Sequence, residues 1–134
     1  MMMLLKVFFI LISSGVAALK PPHAGFLESV KTKDGVVYTE VKRMGDYLLI
    51  YPMQYQGGGK WHPIPVNEIS QGQITLTHPK IKKRTTLNLE TQKEIFSVPL
   101  LYSKDPTLLI SVQYTYKKQF LAFNYVLDNY EEHK

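Results

Sequence analysis

The chain has 134 residues, 45% of them hydrophobic, and a formal net charge of +5, which together indicate one small folded domain. It contains no cysteine, which excludes disulfide bonds, thiolate zinc sites and a thiol nucleophile. The net charge permits attraction to anionic surfaces but does not by itself indicate nucleic-acid binding, and we expect no nucleic-acid partner.

The first predicted element is a secretory signal peptide over residues 1–18. Lys6 precedes an apolar stretch at residues 7–12, and Val16-Ala17-Ala18 supplies the small residues of a cleavage site. A retained anchor is the alternative, although a membrane-spanning helix needs about 20 apolar residues. We therefore expect an exported protein, periplasmic or secreted, with no membrane span after cleavage. The lack of cysteine and of Asn-x-Ser/Thr sequences favours a bacterial envelope.

Residues 26–128 have the alternating pattern of β-strands, and no α-helix is predicted after the signal peptide. Residues 19–25 form a proline-containing linker, and residues 129–134 form a polar tail. Turns are predicted at Asp34-Gly35, Gln71-Gly72 and Lys117-Lys118, with a short strand at residues 66–70. About eight short strands at regular spacing predict an all-β fold, a single antiparallel β-sandwich or a small barrel.

The clearest alternation lies at residues 107–116, where Tyr114 and Tyr116 share a face with Leu108, Ile110 and Val112. Tyrosine suits a half-buried sheet because its ring packs while its hydroxyl remains hydrated. We expect this face to point into the core. The alternative is an exposed contact surface that contains the two tyrosines.

A glycine-rich loop carries the first candidate site, which consists of Tyr55, Gly57, Gly58, Gly59, Lys60 and Trp61. The spacing does not fit a phosphate-binding loop, because Trp61 follows Gly59-Lys60 where Ser or Thr is required. Three hypotheses remain for this loop. Trp61 folds back to cap the core, or the loop recognises a protein partner, or its aromatic rings stack on a sugar.

A basic stretch at residues 80–84 carries the second candidate group, Lys80, Lys82 and Arg84. In an extended strand these three side chains would point to the same side. One hypothesis is a solvated edge strand, in which lysines oppose aggregation. The other is a surface for an acidic partner, an anionic envelope polymer or lipid headgroups.

Catalytic and metal-binding patterns are weak. His62, His78 and Glu68 would make a three-ligand metal site only if the fold brought them together. The nucleophile motif Gly-x-Ser-x-Gly is absent from the sequence. We therefore assign no catalytic residue, no metal ligand and no cofactor.

These observations favour a non-enzymatic protein-binding or assembly module of the bacterial envelope. It would be an accessory component of a secretion, pilus or conjugation machine, or a toxin-neutralising immunity protein. The first alternative is a carbohydrate or envelope-polymer binding module that uses Trp61 and Tyr55. The second is a small metal-dependent hydrolase.

Overall fold

The computed structural model describes residues 19–92, 95–100 and 107–128. The predicted signal peptide at residues 1–18 and the polar tail at residues 129–134 lie outside the described residues. The part of the chain that the structure describes contains no helix of the length and apolarity needed to cross a membrane.

The described residues form ten β-strands and one short 3₁₀ turn, Val66–Glu68. In chain order the strands are β1 Phe26–Thr32, β2 Gly35–Met44, β3 Tyr47–Tyr55, β4 Trp61–Pro63, β5 Ile69–His78, β6 Lys83–Asn88, β7 Glu90–Gln92, β8 Ile95–Pro99, β9 Thr107–Tyr116 and β10 Gln119–Asp128.

The strands pair into two antiparallel sheets. Sheet A has the order β1-β2-β3-β8-β7, with the short strand β4 also paired to β3. Sheet B has the order β10-β9-β5-β6. This arrangement confirms the predicted β-sandwich, because the apolar faces of both sheets contribute to one buried core.

The chain crosses from one sheet to the other between β6 and β7. β6 pairs with β5 in sheet B, whereas β7 pairs with β8 in sheet A. Leu89, between them, donates its backbone N–H to the carbonyl of Gly72 at 3.0 Å. A strand that changes sheets in this way makes a corner of a sandwich, and this corner encloses one side of the core.

Strict alternation in β9 and β10 supplies a large part of the core. Tyr114 and Tyr116 are both buried, so the prediction that their face points into the core is confirmed. The hydroxyl groups of Tyr114 and Tyr125 reach across to Thr39 of sheet A. Tyr114 lies 2.7 Å from the Thr39 hydroxyl, and Tyr125 donates to the Thr39 carbonyl at 2.6 Å. Both buried hydroxyl groups are therefore satisfied.

Two local predictions were wrong. Gln71-Gly72 is not a turn but lies in β5, where the register with β9 shifts between Ser70 and Gln73. Gln71 has a φ of 56°, which is the left-handed conformation of a bulge residue. Residues 66–70 begin with the 3₁₀ turn rather than with a strand. The turn at Lys117-Lys118 is confirmed, and both lysines have positive φ, 51° and 65°.

Candidate functional site

Aromatic side chains gather on the outer face of sheet A, the face turned away from sheet B. Trp61 of β4 lies beside Tyr55 of β3, with ring centroids 4.7 Å apart. Tyr38 of β2 meets Trp61 edge-on, with centroids 5.2 Å apart and an interplanar angle of 89°. We call Tyr38, Tyr55 and Trp61 the aromatic cluster. Edge-to-face packing of this kind is favourable for aromatic rings at these distances.

The three glycines place Trp61 in this cluster. Gly57, Gly58 and Gly59 have φ values of 90°, 61° and 78°, a conformation that residues with a Cβ rarely adopt. Backbone hydrogen bonds close the loop between Gln56 and Lys60, and the Tyr55 hydroxyl accepts the N–H of Gly59 at 2.8 Å. The loop is thus a compact reversal that pairs Trp61 with Tyr55. The hypothesis that Trp61 folds back to cap the end of the core is wrong, because its ring packs on Tyr38 and Tyr55 of the outer face and not on the buried core.

The predicted linker, residues 19–25, lies against the same face through Glu40. This carboxylate is completely buried in β2. It accepts the His23 N–H at 3.1 Å, the His23 ring at 2.9 Å through Nδ1, and the Gly25 N–H. A Cβ at Gly25 would lie 2.5 Å from the carbonyl oxygen of Val41, so only glycine permits this approach. The buried charge is therefore compensated by three donors from one short segment.

His23 also covers Tyr51 of β3. The two rings are stacked, with centroids 3.7 Å apart and an interplanar angle of 9°. The segment before β1 thus adds an oriented imidazole to the aromatic outer face.

A groove opens where sheet A is incomplete. β8 pairs with β3 from Tyr47 to Ile50, and β4 pairs with β3 from Met53 to Tyr55. Neither strand pairs with Tyr51 or Pro52. The gap forms a cavity of about 290 Å³ lined by Pro22, His23, Tyr51, Pro52, Met53, Trp61, Pro63 and Ile95. We call these eight residues the aromatic groove.

Pro52 is compatible with this gap in the middle of a paired strand. Its carbonyl accepts the N–H of Ile64 at 2.9 Å, on the side of β3 where β4 lies. In a β-strand the backbone N and O atoms of one residue point to the same side. An N–H at position 52 would therefore also have pointed towards this gap, and proline has none. The sequence thus leaves no backbone donor unpaired at this point.

The polar side-chain groups of the groove belong to His23, Tyr51 and Trp61. Burial raises the pKa of the Tyr51 hydroxyl, and the negative charge of Glu40 raises it further. Like any tyrosine hydroxyl, it is protonated and able to donate at neutral pH. Within the described residues, neither this hydroxyl nor the indole N–H of Trp61 has a hydrogen-bond partner. The groove combines an apolar lining with two available donors.

The second predicted group lies elsewhere in the fold. Lys80 and Lys82 occupy the turn between β5 and β6, and Lys82 has a φ of 52°. Arg84 alone of the three lies in a strand, β6, where it pairs with Thr77. The expectation of one extended basic strand is therefore wrong for Lys80 and Lys82. All three side chains are exposed, and β6 forms an edge of sheet B.

The residues considered for a metal site do not form one. His62 is exposed in β4 of sheet A, whereas His78 is buried at the end of β5 in sheet B. Glu68 is exposed in the 3₁₀ turn. Among the described residues, no three His, Cys, Asp or Glu side chains are grouped to hold a metal ion.

Sequence reasoning named only Trp61 among the eight groove residues, and it also missed Tyr38 and Glu40 on this face. One signal was available for Glu40, which interrupts the apolar run of β2 with a charge. Nothing in the sequence pairs it with His23, 17 residues earlier. Comparisons with protein-family models, with curated proteins and with solved structures found no match, so the site is defined by its own geometry.

Proposed function

We propose that this chain is an exported, non-enzymatic protein-binding or assembly module of the bacterial envelope, and that the aromatic groove binds its partner. The module would serve as an accessory component of a secretion, pilus or conjugation machine, or as an immunity protein that neutralises a toxin. The observation that carries the proposal is the groove itself. It is a concave, mostly apolar site with a few polar groups, and clefts of this kind are preferred binding sites.

The composition of the groove favours a protein partner. Trp, Tyr and Met are enriched at protein interfaces, and Trp and Tyr dominate their binding energy. Trp61 and Tyr51 are also held in place before binding, by the aromatic cluster and by the His23 stack. A preformed site loses less conformational entropy when a partner binds.

Two alternatives receive less support. A sugar-binding platform needs several directed polar groups, and much of the groove is proline, methionine and isoleucine. A metal-dependent hydrolase would need His62 and His78 in one site, but they belong to different sheets.

The test is a capture experiment in the native cell. The tagged protein is purified gently and its co-purifying proteins are identified by mass spectrometry. We expect one stoichiometric partner that is lost with Trp61→Ala. Tyr47→Ala is the matched control, because Tyr47 is an exposed aromatic residue of β3, the strand that pairs with β4, but does not line the groove. Equal recovery of the partner with both variants would contradict the proposal.

A further inference from the structure

Prolines and aromatic rings together line the aromatic groove. Pro22 and Pro63 form two of its walls beside Tyr51 and Trp61. Proline-rich segments in the polyproline II conformation bind to aromatic-lined grooves, because the conformation is preformed and loses little entropy on binding. The aromatic and proline rings that line this groove therefore suit the binding of an extended, proline-containing chain.

The hydrogen-bonding groups of the groove match such a chain as well. A polyproline II segment makes no internal hydrogen bonds, so its carbonyl oxygens are free to accept. Tyr51 and Trp61 line the groove, and neither the Tyr51 hydroxyl nor the Trp61 indole N–H has a hydrogen-bond partner among the described residues.

The charged residues around the groove indicate which charges a partner segment should carry. Two of the segments that border the groove, residues 19–25 and 55–65, contain Lys20 and Lys60 and no acidic residue. Both lysines are exposed. Glu40, which holds His23 against the sheet, is fully buried and bonded to its three donors. On these two sides an approaching segment meets Lys20 and Lys60, which favours acidic residues beside the prolines.

We infer that the aromatic groove binds an extended, proline-containing segment of a partner protein, with acidic residues flanking the prolines. This inference rests on the proposed function and specifies the chemistry of the partner. A cavity of about 290 Å³ accommodates a short stretch of chain and not a folded domain. The prolines lie against Tyr51 and Trp61, their carbonyl oxygens accept from these two residues, and the acidic flanks lie near Lys20 and Lys60.

The experiment titrates the purified protein with blocked hexapeptides and follows the fluorescence of Trp61, the single tryptophan of the chain. The probe is acetyl-Glu-(Pro)₄-Glu-amide. We expect saturable binding, at least tenfold weaker binding of the matching (Ala)₄ peptide, and about fivefold weaker binding of a proline peptide with lysine flanks. Each exposed charge pair contributes at most about a factor of five. Equal binding of the proline and alanine peptides would overturn the inference, and so would saturation by peptidoglycan fragments alone.

Two variants separate the hydrogen bond from the packing. Tyr51→Phe keeps the ring under His23 and removes only the hydroxyl, so we expect binding about five- to tenfold weaker by calorimetry. Tyr47→Phe removes a hydroxyl outside the groove and should bind as the wild type does. Equal affinity of the Tyr51→Phe variant would refute the assigned donor.

The peptide titration tests this inference, and the cellular capture tests the proposed function, so their outcomes can be told apart. A partner captured through Trp61, together with no binding of any proline peptide, overturns this inference and leaves the proposed function intact. Peptide binding without any captured partner contradicts the proposed function instead.

Discussion

Glu40→Gln should detach residues 19–25 from sheet A and lower the stability of the whole domain. The wild-type carboxylate is 0% exposed and accepts from the His23 N–H, the His23 ring and the Gly25 N–H. A glutamine side chain fits the same space. Its amide NH₂ group would face the three N–H donors instead of accepting from them, and the negative charge would be lost. Hydrogen bonds to a charged group contribute about 1.5–3 kcal/mol each, and buried donors left unpaired add a desolvation cost.

Because the segment can leave the sheet and regain water, we expect a loss of about 3 kcal/mol rather than the full sum of three bonds. Urea unfolding followed through Trp61 fluorescence measures this loss as a lower midpoint at constant slope. In a domain of this size it corresponds to roughly 10–15 °C in Tm.

His23→Ala is the internal comparison for Glu40→Gln. It removes the ring hydrogen bond and the stack on Tyr51, but keeps both backbone donors to the carboxylate. We expect this variant to lose only about 1–1.5 kcal/mol. Equal losses for the two variants would refute the reasoning, since the imidazole alone would then account for the attachment of the segment.

Three further predictions concern the rest of the fold. Replacing Lys117-Lys118 by Asn-Gly should stabilise the domain by about 1–2 kcal/mol, measured by urea unfolding, because both lysines have positive φ. Tyr125→Phe should destabilise it by about 1–2 kcal/mol in the same assay, because the Thr39 carbonyl loses its donor. Burial raises the pKa of Tyr114 and Tyr125 above the usual value of about 10, so the fold favours their protonated forms. Stability should be full below pH 10 and fall as the pH rises further, with two classes of tyrosine ionising by absorbance at 295 nm.

The sandwich could be predicted because its strands alternate strongly. Leu108, Ile110, Val112, Tyr114 and Tyr116 are all buried in β9, as their spacing indicates. Gln71-Gly72 misled the prediction, because some bulges and some tight turns both place a residue at positive φ, as Gln71 is here. A bulge differs from a turn in that the residues after it continue to pair with the same neighbouring strand. Here that neighbour is β9, which lies far along the chain, so the local sequence could not show the difference.

The candidate site was predicted only in part. The glycine loop, Tyr55 and Trp61 are adjacent in sequence, so their composition pointed to them. The opposite wall depends on contacts over long sequence distances. Glu40 meets His23 across the turn of β1 into β2, and Tyr51 meets His23 only because β2 pairs with β3. Such contacts arise from strand register, which local patterns do not determine.

Photo-crosslinking in the native cell tests the central claim most directly, namely that the aromatic groove is the partner-binding surface. A photoreactive phenylalanine analogue replaces Tyr55, beside Trp61, in one strain and Thr75, on the outer face of sheet B, in another. We predict a discrete protein adduct from position 55 and none from position 75. Adducts from position 75 alone would contradict the account, because the partner would then bind the other sheet.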